Sequence, residues 1–199
     1  YASLAIQFSR GCPHDCEFCD IPPLFGRVPR TKTPEQMKSE LDAIHKTGWR
    51  GPVFIVDDNS IGNKKEVRIL LPIIADWQRE KGYPFSFFTE ADMNLALPEY
   101  KDIREGFNQA GIDTVFVGVE SPNLKVLKSM HKRQNLGGLS LEDRIEVMQR
   151  SGLEVMAGFI VGNDEDGPDV FKNIFDFVQK TGIVIPMVGL LTAVRGTRL

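Results

Sequence analysis

The chain has 199 residues, of which 42% are hydrophobic and 26% are charged, and this composition is typical of a globular domain that buries one sizeable core. Its 27 acidic residues outnumber 24 basic ones, and the resulting net charge of −3 argues against a large non-specific nucleic-acid footprint. No apolar stretch approaches the length of a membrane span, and no signal peptide is expected before Leu4. Because no repeat, low-complexity tract or long linker divides the sequence, we predict one domain over residues 1–199.

Six short runs rich in β-branched and aromatic residues alternate with helix-like segments. The runs are mostly apolar without strict alternation, as expected for parallel strands that are covered on both faces. Units of this kind, each roughly 30 to 40 residues long, indicate an α/β fold with one parallel sheet and right-handed crossovers. The predicted strands cover residues 4–8, 53–56, 85–89, 114–119, 154–161 and 186–191.

The helix between the first two strands is the most clearly marked. Thr33 is a predicted N-cap, Pro34 fits the first turn, Gln36 completes a capping box, and Gly48 lies past the end. In the next helix, Pro72 is expected to produce a kink or to mark a late start. Residues 132–140 are predicted to form only a flexible loop. The remaining helices are predicted over residues 63–77, 98–109, 124–130, 141–150 and 168–180.

Three cysteines, the only ones in the chain, follow the first strand in a C-x3-C-x2-C run: Cys12, Cys16 and Cys19. Three soft thiolates without a fourth suit a cluster that leaves one iron open better than they suit a closed zinc site of four ligands. A zinc knuckle would have to recruit His14, whose ring lies between two proposed ligands and is poorly placed to reach the same metal. Three inert buried thiols would leave the clustering unexplained. Exposed thiols of this kind are expected in the cytoplasm.

Polar side chains follow several predicted strands, at the edge where parallel sheets bind ligands. Asp57 and Asp58 follow the second strand, and either could equally serve as a turn-former or helix cap. Glu90 and Glu120 follow runs that should be buried, so their carboxylates need partners. In the fifth strand, Gly158 and Gly162 flank Ile160, and these glycines either relieve packing or allow a flat ligand to approach the backbone.

Phe18, directly before the last thiolate, gives C-x3-C-x-aromatic-C, and this motif resembles the radical S-adenosylmethionine superfamily. Nearly all of the chain is similar to the core domain of its cobalamin-dependent branch, which includes the hopanoid C-2 methylases. Residues 194–197, Val-Arg-Gly-Thr, depart from that branch, which tends to place Pro before Gly-Thr, so Arg195 is either a substrate-facing charge or a neutral variation. The stretches that resemble the branch are QFSRGCPHDCEFCD, GRVPRTKTPEQ, VDDNSIGNKK, GYPFSFFTEADMNLA, SGLEVMAGFIVGNDED and VGLLTAVRGTRL.

The resemblance implies a partial TIM barrel of (βα)6 type, a [4Fe-4S] cluster on the three cysteines, and S-adenosylmethionine at the open iron. Members of the branch usually have an N-terminal cobalamin-binding domain and a C-terminal extension, so residues 1–199 are expected to be the core of a longer protein, with cobalamin bound by a domain outside this chain. By the same resemblance, Phe18 packs near the adenine, Asp57 and Asp58 match the site for the methionyl amine, and Glu90 and Glu120 match cofactor or substrate contacts. The adenine-contacting strand is matched by Gly158, Ile160 and Gly162.

The implied reaction is reductive cleavage of S-adenosylmethionine to a 5'-deoxyadenosyl radical, used for cobalamin-dependent methylation of an unactivated carbon. Two alternatives stay open: a radical enzyme that rearranges, cyclises or oxidises without methyl transfer, and an iron-sulfur electron-transfer or binding module. The expected partners are a small-molecule or lipid substrate and an electron donor such as flavodoxin or ferredoxin. A cytoplasmic location is expected, with membrane association if the substrate is a lipid.

Overall fold

Six parallel strands form the main sheet of the computed structural model, which describes all of residues 1–199. The sheet has the order β1-β4-β5-β6-β7-β8, while β2 and β3 form a separate antiparallel ribbon. This arrangement confirms the predicted α/β fold with a parallel sheet. The strands are β1 (Leu4–Ile6), β2 (Ser9–Arg10), β3 (Arg30–Thr31), β4 (Val53–Ile55), β5 (Phe87–Ala91), β6 (Ile112–Glu120), β7 (Glu154–Val161) and β8 (Ile185–Leu190).

Seven α-helices connect the strands, and the longer ones contribute buried side chains to the hydrophobic core. None of them combines the length and hydrophobicity that a bilayer crossing needs. Three short 3-10 helices, Met93–Ala96, Pro98–Tyr100 and Arg133–Asn135, lie in the connections. The α-helices are α1 (Ile21–Phe25), α2 (Pro34–Lys46), α3 (Lys64–Lys81), α4 (Lys101–Ala110), α5 (Leu124–Ser129), α6 (Leu141–Arg150) and α7 (Val170–Thr181).

Local sequence signals account for the helix starts. The capping box of α2 forms as predicted: Gln36 N donates to Thr33 Oγ1 at 3.3 Å, and Thr33 N donates to Gln36 Oε1 at 2.8 Å. The next helix, α3, begins at Lys64 after its Asn63 cap, so Pro72 lies inside the helix and does not mark its start.

Strands β4 to β7 alternate between a face packed on the helices and a more exposed inner face, whereas β8 at the edge of the sheet is exposed along its whole length. On β6, Val115, Val117 and Val119 are fully buried against the helices, whereas Phe116 between them is only half-buried. This period of two is what parallel strands show when one face of the sheet is packed and the other lines an open cleft. The inner face is therefore the wall on which a site at the strand ends can be built.

Several predicted boundaries shift by a few residues, and three differences concern the site or the core. The first strand ends at Ile6 and not at residue 8, because the next N–H groups turn toward Asp57. Phe85 lies before β5, where its ring stacks on Trp77 with centroids 5.4 Å apart. Residues 132–135 are not part of a flexible loop, since Lys132, Gln134 and Asn135 are buried at the carboxyl edge of the sheet.

Candidate cofactor site at the carboxyl edge of the sheet

The cysteine loop is fixed by backbone hydrogen bonds from three directions. Gly11 N donates to Asp58 Oδ2 at 2.8 Å, Cys12 N donates to Gly26 O at 3.3 Å, and Glu17 N donates to Met130 O at 3.0 Å. Gly11 has φ +104°, and a Cβ there would lie 2.9 Å from Gly26 O, so only glycine fits. The loop is thereby held over the ends of the strands.

The three thiols line one cavity of about 220 Å³ together with four of the eight other predicted site residues. These four are Phe18, Asp58, Glu90 and Glu120, and their contacts to a cofactor stay predictions. Asp57, Gly158, Ile160 and Gly162 do not line the cavity. The lining also includes residues that the sequence did not single out as ligands, namely His14, Asn59, Asp92, Phe116, Lys132 and Gln134.

Asp57 binds backbone and side-chain donors of the protein, whereas the prediction was that it contacts a cofactor amine. Its carboxylate accepts hydrogen bonds from Phe8 N at 2.7 Å, Ser9 N at 2.8 Å and Ser9 Oγ at 2.6 Å, and the residue is only 1% exposed. Burial raises the pKa of Asp57, while these hydrogen bonds work against the increase. The carboxylate is occupied by the donors that become free where β1 ends, so this part of the prediction is corrected.

The chemistry of the three thiols fits a metal-sulfur group. Burial raises the pKa of Cys19 to about 11 and raises that of Cys12 above its ordinary value, so both are protonated at neutral pH unless a metal binds and displaces the proton. Amide donors point at two sulfurs: Gln134 Nε2 lies 3.3 Å from Cys16 Sγ, and Asn59 Nδ2 lies 3.9 Å from Cys12 Sγ. Such donors stabilise thiolate sulfur in iron-sulfur sites.

The arrangement is unlike that of a single metal ion. No three His, Cys, Asp or Glu side chains converge as a mononuclear site requires, whereas a cubane cluster takes each thiolate at a separate iron. His14 is engaged elsewhere, with its Nε2 2.6 Å from Asp92 Oδ2. The zinc-knuckle alternative is therefore disfavoured by the geometry.

Asp92 joins the cysteine loop to the sheet. Besides His14, its Oδ2 accepts a hydrogen bond from Asn59 Nδ2 at 2.7 Å, and Asn94 N donates to its Oδ1 at 2.7 Å. Burial alone would raise the pKa of Asp92, but the hydrogen bond and charge of His14 together with the Asn59 amide outweigh it and lower that pKa. The loop, β4 and β5 are thus tied through one buried carboxylate.

A buried ion pair between Glu120 and Lys132 closes another side of the cavity. Lys132 Nζ lies 2.6 Å from Glu120 Oε1, and the side chains of Glu120 and Lys132 are 8% and 10% exposed. Burial would lower the pKa of Lys132, but the negative charge of Glu120, followed by that of Cys16, outweighs it and raises that pKa. The Lys132 ammonium also lies 5.9 Å from the ring centroid of Phe18. It is the one lysine or arginine among the residues that line the cavity.

The backbone conformation at the end of β6 accommodates the Glu120–Lys132 ion pair. Glu120 has φ +63°, a left-handed conformation that non-glycine residues rarely adopt. A Cβ on Gly118 would clash with Glu120 Oε1 and approach Lys132 Nζ to 2.7 Å. Gly118 therefore leaves the space in which the two charges meet.

Glu90 is half-buried and faces the cavity with no hydrogen-bond partner among the side chains around it. Burial raises its pKa first, and the negative charges of Asp58 and Asp57 add to that increase. A carboxylate in this position is available to accept hydrogen bonds from a ligand.

The two predicted glycines lie in β7 and directly after it, outside the lining of the cavity. A Cβ on Gly158 would meet the Phe116 ring at 2.8 Å, so this glycine makes room for an aromatic ring of the protein itself. Gly162 has φ +106°, and its N–H is taken by Asp166 Oδ2 at 2.8 Å. Contact between adenine and the segment that includes Ile160 stays a prediction.

Lys132 and Gln134 are the main residues that sequence reasoning missed. They belong to a run of polar residues, His-Lys-Arg-Gln-Asn, that carries no burial signal in sequence. Their burial follows from the 3-10 helix Arg133–Asn135, which Asn135 fixes by donating to Gly118 O and Val119 O at 2.9 and 3.0 Å.

The parallel sheet carries a three-cysteine loop at its carboxyl edge, over a cavity with carboxylates and one lysine. This arrangement is that of an α/β protein that holds a metal-sulfur cofactor. The match of residues 6–178 to the Radical SAM superfamily identifies the family, and the chain belongs to it.

Among curated proteins, the chain is 42% identical over 195 residues to the hopanoid C-2 methylase of Rhodopseudomonas palustris, covering 98% of this chain and 36% of that protein. It is 43% identical over 199 residues to a protein of Synechocystis sp. named as an uncharacterized methyltransferase, covering all of this chain and 37% of the relative. The chain thus spans just over a third of the length of these relatives.

Among solved structures, the radical S-adenosylmethionine methyltransferase TsrM from Kitasatospora setae, with cobalamin and a [4Fe-4S] cluster bound, superposes with a TM-score of 0.79. The match covers 94% of this chain and 36% of TsrM at 15% identity. Methylornithine synthase superposes with a TM-score of 0.70 over 99% of this chain and 55% of that one, at 14% identity. These likenesses support the partial-barrel description of the fold.

Proposed function

We propose that this chain is the core of an iron-sulfur enzyme that reductively cleaves S-adenosylmethionine to a 5'-deoxyadenosyl radical. The observation that supports this most directly is the placement of Cys12, Cys16 and Cys19 around one cavity that Asp58 and Glu90 also line. When bound, a [4Fe-4S] cluster on three thiolates supplies an open iron that can chelate the cofactor and an electron that can cleave it.

The other side chains of the cavity would bind the cofactor and exclude water. Asp58 and Glu90 offer acceptors for an ammonium group or hydroxyl groups, and Lys132 offers a cation to a carboxylate. Phe18 and Phe116 supply flat apolar surface that keeps water from the reacting atoms. In this proposal no side chain acts as a nucleophile.

We further propose that, in a protein as long as its relatives, the core serves cobalamin-dependent methylation of an unactivated carbon, with cobalamin bound outside residues 1–199. Similarity to a hopanoid C-2 methylase supports this proposal and makes a lipid the first substrate to test, ahead of other small molecules. The inner wall is compatible with an apolar substrate, because the half-buried rings of Phe54 and Phe88 stack there with centroids 4.6 Å apart. The chemistry requires reduced thiols and a flavodoxin or ferredoxin type of donor, so we propose a cytoplasmic protein that associates with membranes if its substrate is a lipid.

Anaerobic reconstitution with iron and sulfide tests the core of the proposal. The expected result is one [4Fe-4S] cluster and, with reductant and S-adenosylmethionine, formation of 5'-deoxyadenosine. Replacing Cys12, Cys16 or Cys19 by alanine should abolish both, while Ser39→Ala on the exposed surface of α2 should leave both unchanged. One equivalent of zinc without sulfide would contradict the proposal, and a cluster without 5'-deoxyadenosine would favour an electron-transfer module.

A further inference from the structure

Four exposed arginines surround the cysteine loop without a carboxylate partner. Several arginines elsewhere on the exposed surface are paired with a carboxylate, as in Arg68 with Asp102, Arg79 with Asp76 and Arg150 with Glu146. We call the four side chains around the loop the arginine rim; they are Arg10, Arg27, Arg30 and Arg133.

Covalent and hydrogen-bonded contacts link the arginine rim to the loop. Arg10 precedes Gly11 and Cys12, and Arg27 Nη2 donates to Pro13 O at 3.0 Å. Arg133 lies next to Gln134, whose amide contacts Cys16. Arg30 pairs with Arg10 in the β2-β3 ribbon, so all four arginines adjoin the cysteine loop.

Two rim arginines, Arg10 and Arg27, contact the protein, whereas Arg30 and Arg133 have no evident folding role. Arg10 and Arg30 face each other across the β2-β3 ribbon, and like charges directly opposite one another destabilise such a pair. The side chains of Arg30 and Arg133 are exposed and make no hydrogen bond to the protein. The positive charges of Arg30 and Arg133 are therefore available to a partner.

Apolar side chains and three acids complete the surface. Leu24 is 64% exposed and Val28 is 78% exposed, and they lie on either side of Arg27 in the chain. Of the three acidic residues in the loop, Asp15 already forms an ion pair with Arg198. Only the negative charges of Glu17 and Asp20 then offset the four positive charges of the arginine rim. An apolar centre with a charged margin is the composition of a transient protein interface.

We propose that the arginine rim, with Leu24 and Val28, docks an acidic electron-transfer protein that reduces the cluster. This inference rests on the proposed function, which requires an electron to enter at the cysteine loop. Charge complementarity selects the partner, because an acidic protein would be steered toward the positive patch on an otherwise acidic chain. The position supports a redox partner over a nucleic acid or a membrane, since the positive charges surround the ligands of the redox group.

The test compares two reductants on the reconstituted protein: a reduced acidic flavodoxin, and reduced methyl viologen, a cation that the arginine rim would not attract. The double variant Arg30→Gln/Arg133→Gln is chosen because neither side chain supports the loop. At low salt it should be reduced by flavodoxin about fivefold to tenfold more slowly, which is within the range that steering by charges provides. The matched control Arg150→Gln on α6 should behave as wild type with both reductants.

Salt and charge reversal sharpen the test. The difference between wild type and the double variant should disappear near ~0.5 M salt, where exposed charges are screened within a few ångströms, and Arg30→Glu/Arg133→Glu should show a larger loss at low salt. Flavodoxin rates that do not differ between variants, or an equal loss with viologen, would overturn the docking proposal. Loss of binding to phosphatidylserine vesicles with unchanged flavodoxin reduction would instead assign the surface to a membrane. Failure of the proposed function would be seen separately, as absence of 5'-deoxyadenosine even with viologen.

Discussion

Replacing Lys132 by methionine should strongly destabilise the protein. The substitution keeps the apolar stem but leaves the Glu120 carboxylate, 8% exposed, without the ammonium that lies 2.6 Å away. Removing one partner of a buried ion pair costs about 3–5 kcal/mol, and the adjoining cavity gives solvent some access to Glu120, so we expect about 3 kcal/mol. For a domain of this size, that corresponds to a decrease in Tm of about 6–12 °C.

Urea unfolding of the metal-free protein at pH 7 measures this effect through the midpoint and the slope. The double variant Glu120→Gln/Lys132→Met should recover most of the lost stability, because it removes the uncompensated charge. Lys128→Met is the control, since that side chain lies exposed on α5. The raised pKa of Lys132 means that the folded state binds the proton more tightly, so its contribution is fully present below the unfolded pKa of about 10.4 and is lost only as the pH rises above it.

Two results would refute this reasoning. A loss below about 0.5 kcal/mol for Lys132→Met would show that solvent in the cavity already screens the pair, as it does at the surface. A double variant that is no more stable than the single one would show that Lys132 acts through packing and not through charge.

Four further substitutions, with one control, test the strand ends and the hydrogen bond to Cys16. Asp57→Asn should lower the free energy of unfolding by about 1–3 kcal/mol with S-adenosylmethionine binding retained by the folded protein. By contrast, Asp58→Asn, which keeps an oxygen acceptor for Gly11 N but removes the charge, should weaken that binding in an equilibrium titration at unchanged iron content. Gly118→Ala should destabilise the protein in thermal unfolding because its Cβ would clash with the buried ion pair, while Gly189→Ala, with nothing within 4 Å of the added carbon, should have little effect. Gln134→Leu removes the donor to Cys16 and should lower the reduction potential of the cluster in a redox titration, since hydrogen bonds to sulfur raise it; an unchanged potential would contradict a role for that hydrogen bond.

The sheet and the cysteine loop could be predicted from the sequence because their signals are local. Apolar runs separated by capped helices indicate a parallel sheet, and three cysteines in one short run indicate a metal-sulfur site. The order of strands along the sheet then follows from short connections, and this order is enough to bring Asp58, Glu90 and Glu120 to one edge of the sheet.

The remainder of the site depends on contacts between distant segments. Asp57 and Asp58 are neighbours in sequence, yet only the register between β1 and β4 turns Asp57 toward Phe8 N and Ser9 N and Asp58 toward the cavity. Lys132 is separated from Glu120 by α5, and a lysine that follows a short helix ordinarily signals solvent exposure. The spacing of residues in a single sequence does not predict that such a lysine lines the same cavity as the three cysteines.

Backbone strain is concentrated near this pair. Glu120 and His131 have φ values of +63° and +53°, and the register between β6 and β7 shifts between Gly118 and Glu120. Non-glycine residues in this region of φ cost of order 1–3 kcal/mol and persist only where the surroundings hold them. Here the buried ion pair and the hydrogen bonds from Asn135 to Gly118 O and Val119 O provide that restraint. The strained strand end directs the Glu120 carboxylate toward the buried lysine, and the same 3-10 segment brings Gln134 to Cys16. The pair therefore couples the folding of the segment after α5 to the polarity around the cluster ligands.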